Sequence, residues 1–128
     1  MPQLCYCGAS IPFSECCEPF LKGIENAPSA EKLMRSRYTA YATQAVDYLI
    51  STTHLSKRGL YPKSDILDWS KSNQWVKLEI LNTSENKVEF KAYYIDSSLK
   101  AQIHHEKSTF LMENGVWYYL DGLFPESR

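Results

Sequence analysis

Four cysteines stand within the first seventeen residues as Cys5-x-Cys7-x8-Cys16-Cys17, and the rest of the 128-residue chain has none. Structural zinc takes four thiolates in a tetrahedron, and two short arms carrying a pair each supply that set. Gly8, directly after the first pair, permits the bend that turns backbone amides toward the sulfurs, and Pro12 stiffens the loop between the arms. Two other arrangements use the same residues. Bridging Cys5 to Cys7 or Cys16 to Cys17 demands strained geometry, whereas disulfides across the arms do not, and the thiols could also stand unconnected. Zinc on Cys5, Cys7, Cys16 and Cys17 is the expectation. Four thiolates leave no open position for an activated water, so its role is structural. A hairpin of about twenty residues buries too little surface to fold alone, and metal must supply the missing stability.

A second set of chemically capable residues lies further on. Arg37 falls inside an apolar helical arc, between Leu33 and Tyr41. A guanidinium there needs a carboxylate or carbonyls, because unpaired burial of a charge is strongly unfavourable. Glu106 is the expected partner, the two meeting directly inside the fold or on one bound anion or water. A structural ion pair, or an arm reaching out to solvent, would use Arg37 without any ligand. His104 and His105 are neighbours on a strand and point to opposite faces, so they cannot share one site. His54 closes a helix, where the dipole favours an imidazolium. The hydroxyls of Tyr38, Tyr41, Tyr94 and Tyr119 could enter a pocket, although aromatic cores with wet tips are common. The candidate pocket set is Arg37, Tyr41, His104, Glu106, Phe110, Trp117 and Tyr119. No residue is assigned a catalytic role: the chain has no nucleophile elbow, P-loop, glycine-rich dinucleotide turn or pair of histidines one helical turn apart.

These residues must be positioned by helices that precede strands. Ser29 offers an N-cap and Glu31 an acid in the first turn of a helix from Ala30 to about Gln44, with residues 30, 33, 34, 37, 38, 41 and 45 on one side. A short helix is expected over Asp47–Ile50, a loop over residues 56–62, and a third helix after Ser64. Past residue 73 the period becomes two: Val76, Leu78 and Ile80 alternate with charged residues, as do Val88, Phe90, Ala92 and Tyr94. A third strand over 101–113 meets a fourth over 116–121 through Asn114-Gly115, a strong hairpin signal. A two-residue loop there pairs Glu113 with Val116, Met112 with Trp117, Phe110 with Tyr119 and Ser108 with Asp121. One face then carries His104, Glu106, Ser108, Phe110, Met112, Trp117, Tyr119 and Asp121. Helices followed by strands imply an α+β fold with an antiparallel sheet.

Fourteen basic and fifteen acidic residues give a net charge of −1, and no Lys/Arg run exceeds two. Duplex nucleic acid and anionic membrane surfaces are therefore excluded as partners. The N-terminus lacks the basic start and apolar core of a signal peptide, and a reducing cytosol is the expected compartment. Residues Lys22 to Pro28 read as a linker.

The cysteine spacing resembles the SEC-C motif, a small zinc-binding element. Leu33-Met34-Arg35-Ser36-Arg37-Tyr38-Thr39-Ala40-Tyr41, Asp47-Tyr48-Leu49, Thr53-His54, His105-Glu106-Lys107-Ser108-Thr109-Phe110 and Gly115-Val116-Trp117-Tyr118-Tyr119 resemble the bacterial YchJ family. The resemblance implies a SEC-C zinc hairpin over residues 1–22 and a nuclear transport factor 2-like cone over residues 27–128, helices packed on a curved antiparallel sheet. It brings no established reaction. Two functions follow as expectations. The first is a binding or accessory protein whose zinc hairpin braces the fold or docks a partner protein. The second is a small-molecule-binding protein or enzyme, hydratase- or isomerase-like, using the cone pocket. If the hairpin is a mere appendage, removing residues 1–22 should leave a cooperatively folding domain.

Overall fold

In the computed structural model, which describes residues 3–123, the chain opens with a tight hairpin. Leu4 and Pro12 form an antiparallel bridge, and the Cys5 amide donates to Ile11 O at 2.8 Å. A 3-10 turn (Phe13–Glu15) and the four-residue helix α1 (Glu18–Leu21) complete this unit. The segment expected to be a linker is anchored: Ala27 packs in the main core.

Helix α2 (Ala30–Thr43) begins where Ser29 Oγ accepts the Lys32 amide at 3.1 Å, and it ends at Gln44, whose φ of 62° breaks the helical path. Its buried side carries Ala30, Leu33, Met34, Arg37 and Tyr38, the apolar arc the spacing predicts. Helix α3 (Val46–Ser51) follows at once. The expected loop contains a 3-10 turn, Leu55–Leu60, started by the His54 ring, which accepts the Ser56 amide. Helix α4 (Lys63–Ser72) starts just before Ser64, because the Pro62 carbonyl already accepts from Asp65 and Ile66.

The four strands β1 (Gln74–Thr83), β2 (Lys87–Ile95), β3 (Ala101–Glu113) and β4 (Val116–Leu123) form one antiparallel sheet in sequential order. Asn114 and Gly115 both have positive φ, 54° and 80°, as the two-residue turn requires. Around it the pairs Glu113–Val116, Met112–Trp117 and Phe110–Tyr119 form as expected.

Two bulges alter the expected faces. An irregularity between Trp75 and Lys77 leaves Val76 56% exposed, while Trp75 packs against the core beside Leu78 and Ile80. Strict alternation would have reversed those two residues. A second bulge, between Thr109 and Phe110, moves Asp121 opposite Thr109 and puts Gly122, instead of Asp121, opposite Ser108. Met112, expected on the inner face, lies near the turn and is largely exposed.

Leu33, Met34 and Tyr38 of α2 pack on Leu78, Val88, Phe90, Ala92, Phe110 and Trp117 of the sheet. Each large apolar side chain buried there contributes about 1.5–3 kcal/mol. A smaller cluster of Ala40, Val46, Leu49 and Ile66 joins α2, α3 and α4, and Leu21 links it to the cysteine hairpin. The edge of β4 is tied to the end of α3 by a parallel bridge: the Tyr119 amide donates to Thr52 O at 2.7 Å and the His54 amide to Tyr119 O at 2.8 Å. This tie places Tyr119 beneath Arg37.

Candidate functional site

The four cysteine sulfurs converge. All four side chains are buried, and their Sγ atoms lie within 4.8 Å of one another, Cys7–Cys16 at 3.6 Å and Cys16–Cys17 at 3.9 Å. Those spacings are far beyond a disulfide bond of about 2.05 Å. They match the edge of a tetrahedron of thiolates around a metal at about 2.3 Å, roughly 3.8 Å. The protonation chemistry of the set points the same way. Hydrogen bonds from Cys17 and Cys7 hold the Cys5 thiol far below its ordinary value. Burial and the neighbouring Cys7 push Cys16 up to about 12, and Cys17, as a donor to Cys5, is pushed still higher. Four thiols this close cannot all ionise unless a cation joins them. The cluster is able to hold a metal ion.

Helix α2 grips this hairpin at two points. Arg35 donates from Nη1 to Cys7 O at 2.9 Å while its Nε is held by Glu31 at 3.0 Å, and Thr39 Oγ1 lies 3.8 Å from Cys5 Sγ. Arg35 lies outside the apolar arc of α2 and was given no role by the sequence analysis. Its spacing from Glu31, one helical turn earlier, was the available signal.

The second site is a cavity of about 210 Å³ between α2, α4 and the inner face of the sheet. Arg37, Tyr41, His104, Glu106 and Tyr119 of the candidate set line it. Phe110 and Trp117 do not: both lie in the packed core, because the face they share with Glu106 is covered by α2 at the turn end.

The polar groups are organised around Glu106, which is 6% exposed. His104 Nε2 lies 2.7 Å from Oε1, and the hydroxyls of Tyr119 and Ser108 donate to Oε2 at 2.7 and 2.8 Å. Burial pushes the carboxyl upward, but these hydrogen bonds outweigh it and hold Glu106 below the usual carboxylate range. Burial and the Glu106 charge raise Tyr119 far above its ordinary value, so it stays a donor. Gly122 makes room for this arrangement: a Cβ there would meet Glu106 Oε2, with Cδ at 2.5 Å and Cγ at 2.9 Å.

Arg37 does not pair with Glu106, contrary to expectation. Its Nη1 donates to Leu49 O at 3.0 Å, Thr52 Oγ1 at 2.7 Å and Thr53 Oγ1 at 3.3 Å, and its guanidinium stacks over the Tyr119 ring at 4.5 Å. The end of α3 supplies carbonyls and hydroxyls that satisfy one side of the fork, and Tyr119 stands between the two charges. His105 faces outward to Glu89 at 2.7 Å, and His54 reaches Glu113 at 3.1 Å.

Comparison with known proteins decides the family. The model of the YchJ middle NTF2-like domain matches residues 29–122. The chain belongs to the YchJ family. The UPF0225 protein GSU1048 of Geobacter sulfurreducens is 41% identical over 95% of this chain and 80% of its own length. The UPF0225 protein YchJ of Shigella dysenteriae is 38% identical over 98% and 86%. Among solved structures, RPA3114, a SEC-C motif containing protein from Rhodopseudomonas palustris, superposes with a TM-score of 0.88 at 33% identity, covering 97% of this chain and all of that one. A SEC-C motif containing protein from Psychrobacter arcticus does so with a TM-score of 0.79 at 27% identity, covering 98% and 85%.

The α+β architecture of this YchJ-family chain, with NTF2-like domain and N-terminal cysteine cluster, is the one expected from its residues. No helix among the described residues is long and apolar enough to cross a membrane. Part of the cavity's aromatic wall escaped sequence reasoning: Trp69 comes from α4, Trp75 from the bulge, and Tyr61 from the segment before α4. The concentration of Trp and Tyr between residues 61 and 75 was the one hint.

Proposed function

We propose that this YchJ-family chain is a zinc-braced protein that binds a small molecule in the cavity between α2, α4 and the sheet. The observation that carries the reading is the cavity itself. A domain with only a structural task packs such a volume with side chains, whereas here about 210 Å³ stays open where aromatic walls meet buried polar groups. Ala92, 4% exposed, is part of its floor. Ligand-observed NMR with a set of small ring compounds should find binders that the Ala92→Phe variant loses while its backbone spectrum stays native. Equal binding by that variant would place the ligand elsewhere and overturn the reading.

Zinc on Cys5, Cys7, Cys16 and Cys17 would be saturated by thiolates, so it supplies a cross-link between the two arms and no activated water. The contacts from Arg35 and Thr39 to this hairpin support bracing above docking of a partner protein. A reducing compartment such as the cytosol suits thiolates kept for metal. Elemental analysis of protein purified without chelator should give one zinc per chain. Less than half an equivalent, with four freely titrating thiols, is the contrary result. The His104–Glu106 hydrogen bond also gives the cavity an acid–base pair, the feature a hydratase- or isomerase-like reaction would use. Solvent deuterium appearing at a carbon of a bound ligand would establish such turnover.

A further inference from the structure

Arg37 is a buried charge without a counter-ion. Its side chain lines the cavity and the residue is 7% exposed. Every acceptor it uses is neutral, and every one is reached through Nη1: the Leu49 carbonyl and the hydroxyls of Thr52 and Thr53. Nε and Nη2 donate to nothing among the described residues. Neither is sealed from solvent, since the one sealed donor lacking a partner is Trp117 Nε1. Arg37 lines the cavity, so that edge of the fork is the one left for a cavity ligand. No carboxylate forms an ion pair with it, because both oxygens of Glu106 are already engaged by His104, Ser108 and Tyr119. The Tyr119 ring offers the guanidinium a π face but no charge.

A largely buried guanidinium with two parallel N–H groups unspent is a receptor for a planar oxyanion, since the Nε–Nη2 edge matches the two oxygens of a carboxylate. The remaining walls fit a flat ring: Tyr38, Tyr41, Trp75 and Phe90 border the same space. An apolar cavity of ~150 Å³ is enough for benzene, so about 210 Å³ takes a six-membered ring with one small substituent. The nearby Glu106 disfavours dianions such as a phosphate monoester, and its three donors shield a monoanion from it. Resting on the binding role proposed for this cavity, we infer that its ligand is a small aromatic or otherwise planar monocarboxylate, ring among the aromatic walls and carboxylate on the Nε–Nη2 edge of Arg37.

The test uses the metal-loaded full chain and three probes of one shape, benzoate, benzyl alcohol and benzylamine, titrated while tryptophan fluorescence and calorimetric heat are followed. Benzoate should bind at least tenfold more tightly than either of the others. Arg37→Lys, which keeps the charge but removes the fork, should erase most of that preference while leaving benzyl alcohol affinity within about twofold. If this variant misfolds, the wild-type ranking stands as the decisive measurement. Benzyl alcohol or benzylamine binding as well as benzoate would overturn the carboxylate assignment and leave the cavity a binding site of another chemistry. An absence of binding by all three up to millimolar concentration would overturn both.

Discussion

Cutting Glu106 back to alanine is expected to lower unfolding free energy by about 3–5 kcal/mol, because the hydroxyls of Tyr119 and Ser108 and the His104 ring all lose their acceptor at once. Glu106→Gln should cost about 1–2 kcal/mol, since an amide oxygen still accepts from Tyr119 and Ser108. Urea midpoints measured across pH distinguish the charge from the shape. The folded Glu106 carboxyl lies below its ordinary value, so its charge contributes stability that is fully present above the unfolded value of about 4.3. That contribution is lost as pH falls through the lower folded value. The advantage of wild type over Glu106→Gln should therefore shrink below about pH 4.3 and be constant above it. A constant gap down to pH 3 would mean that the Glu106 carboxyl titrates alike in the folded and unfolded chain, and a gap that widens as pH falls would mean that it is held neutral in the fold.

Stripping metal from the cysteine cluster with a chelator is the second change expected to be large. A structural site worth about 3 kcal/mol of folding free energy shifts Tm of a domain this size by roughly 10–15 °C. The loss should be graded along the chain. Hydrogen exchange should accelerate first in the hairpin and α1, whose backbone hydrogen bonds run within residues 3–25 and not to the sheet, while amides of β2 and β3 keep their protection. Arg35→Ala should give a weaker version of the same pattern with metal content unchanged, since it removes the clamp on Cys7 O without touching a sulfur. A chelated protein that unfolds at the temperature of the loaded one would refute the bracing role. Removing residues 1–22 is now a harsher change than the appendage picture implied. It also strips the buried Phe20, and Leu21, which packs on both the Ala40 and Leu49 cluster and the cysteines.

What the residues disclosed in advance follows from how local each signal is. The Ser29 cap, the apolar arc of α2 and the Asn114-Gly115 turn are written within a few residues, and each was legible. The cysteine cluster was legible because its chemistry fixes spacing. The partner of Arg37 was not. Which acceptor a long guanidinium finds depends on where the end of α3 lands, and that end is carried to Arg37 by the Thr53–Tyr119 bridge. The aromatic wall was hidden for a similar reason. Trp75 enters it only because the chain bulges one residue later, and nothing in Trp75-Val76-Lys77 announces a bulge.

The bulge between Thr109 and Phe110 keeps the cavity wall to a single carboxylate. Without it, β4 would advance by one position and Asp121, not Gly122, would stand opposite Ser108 beside Glu106. Two carboxylates at that distance cannot both remain ionised, and one would hold a proton near neutral pH. Tyr119 and Ser108 would be divided between them, and the shared proton would leave the pair a single negative charge, the same as Glu106 carries alone. What would change is the proton count: a wall with a fixed carboxylate would become one that gains and loses a proton near neutral pH. Deleting a single residue from the bulge is thus a one-step route to a proton-sharing carboxylate pair, and to a pH-responsive cavity wall, on the same scaffold.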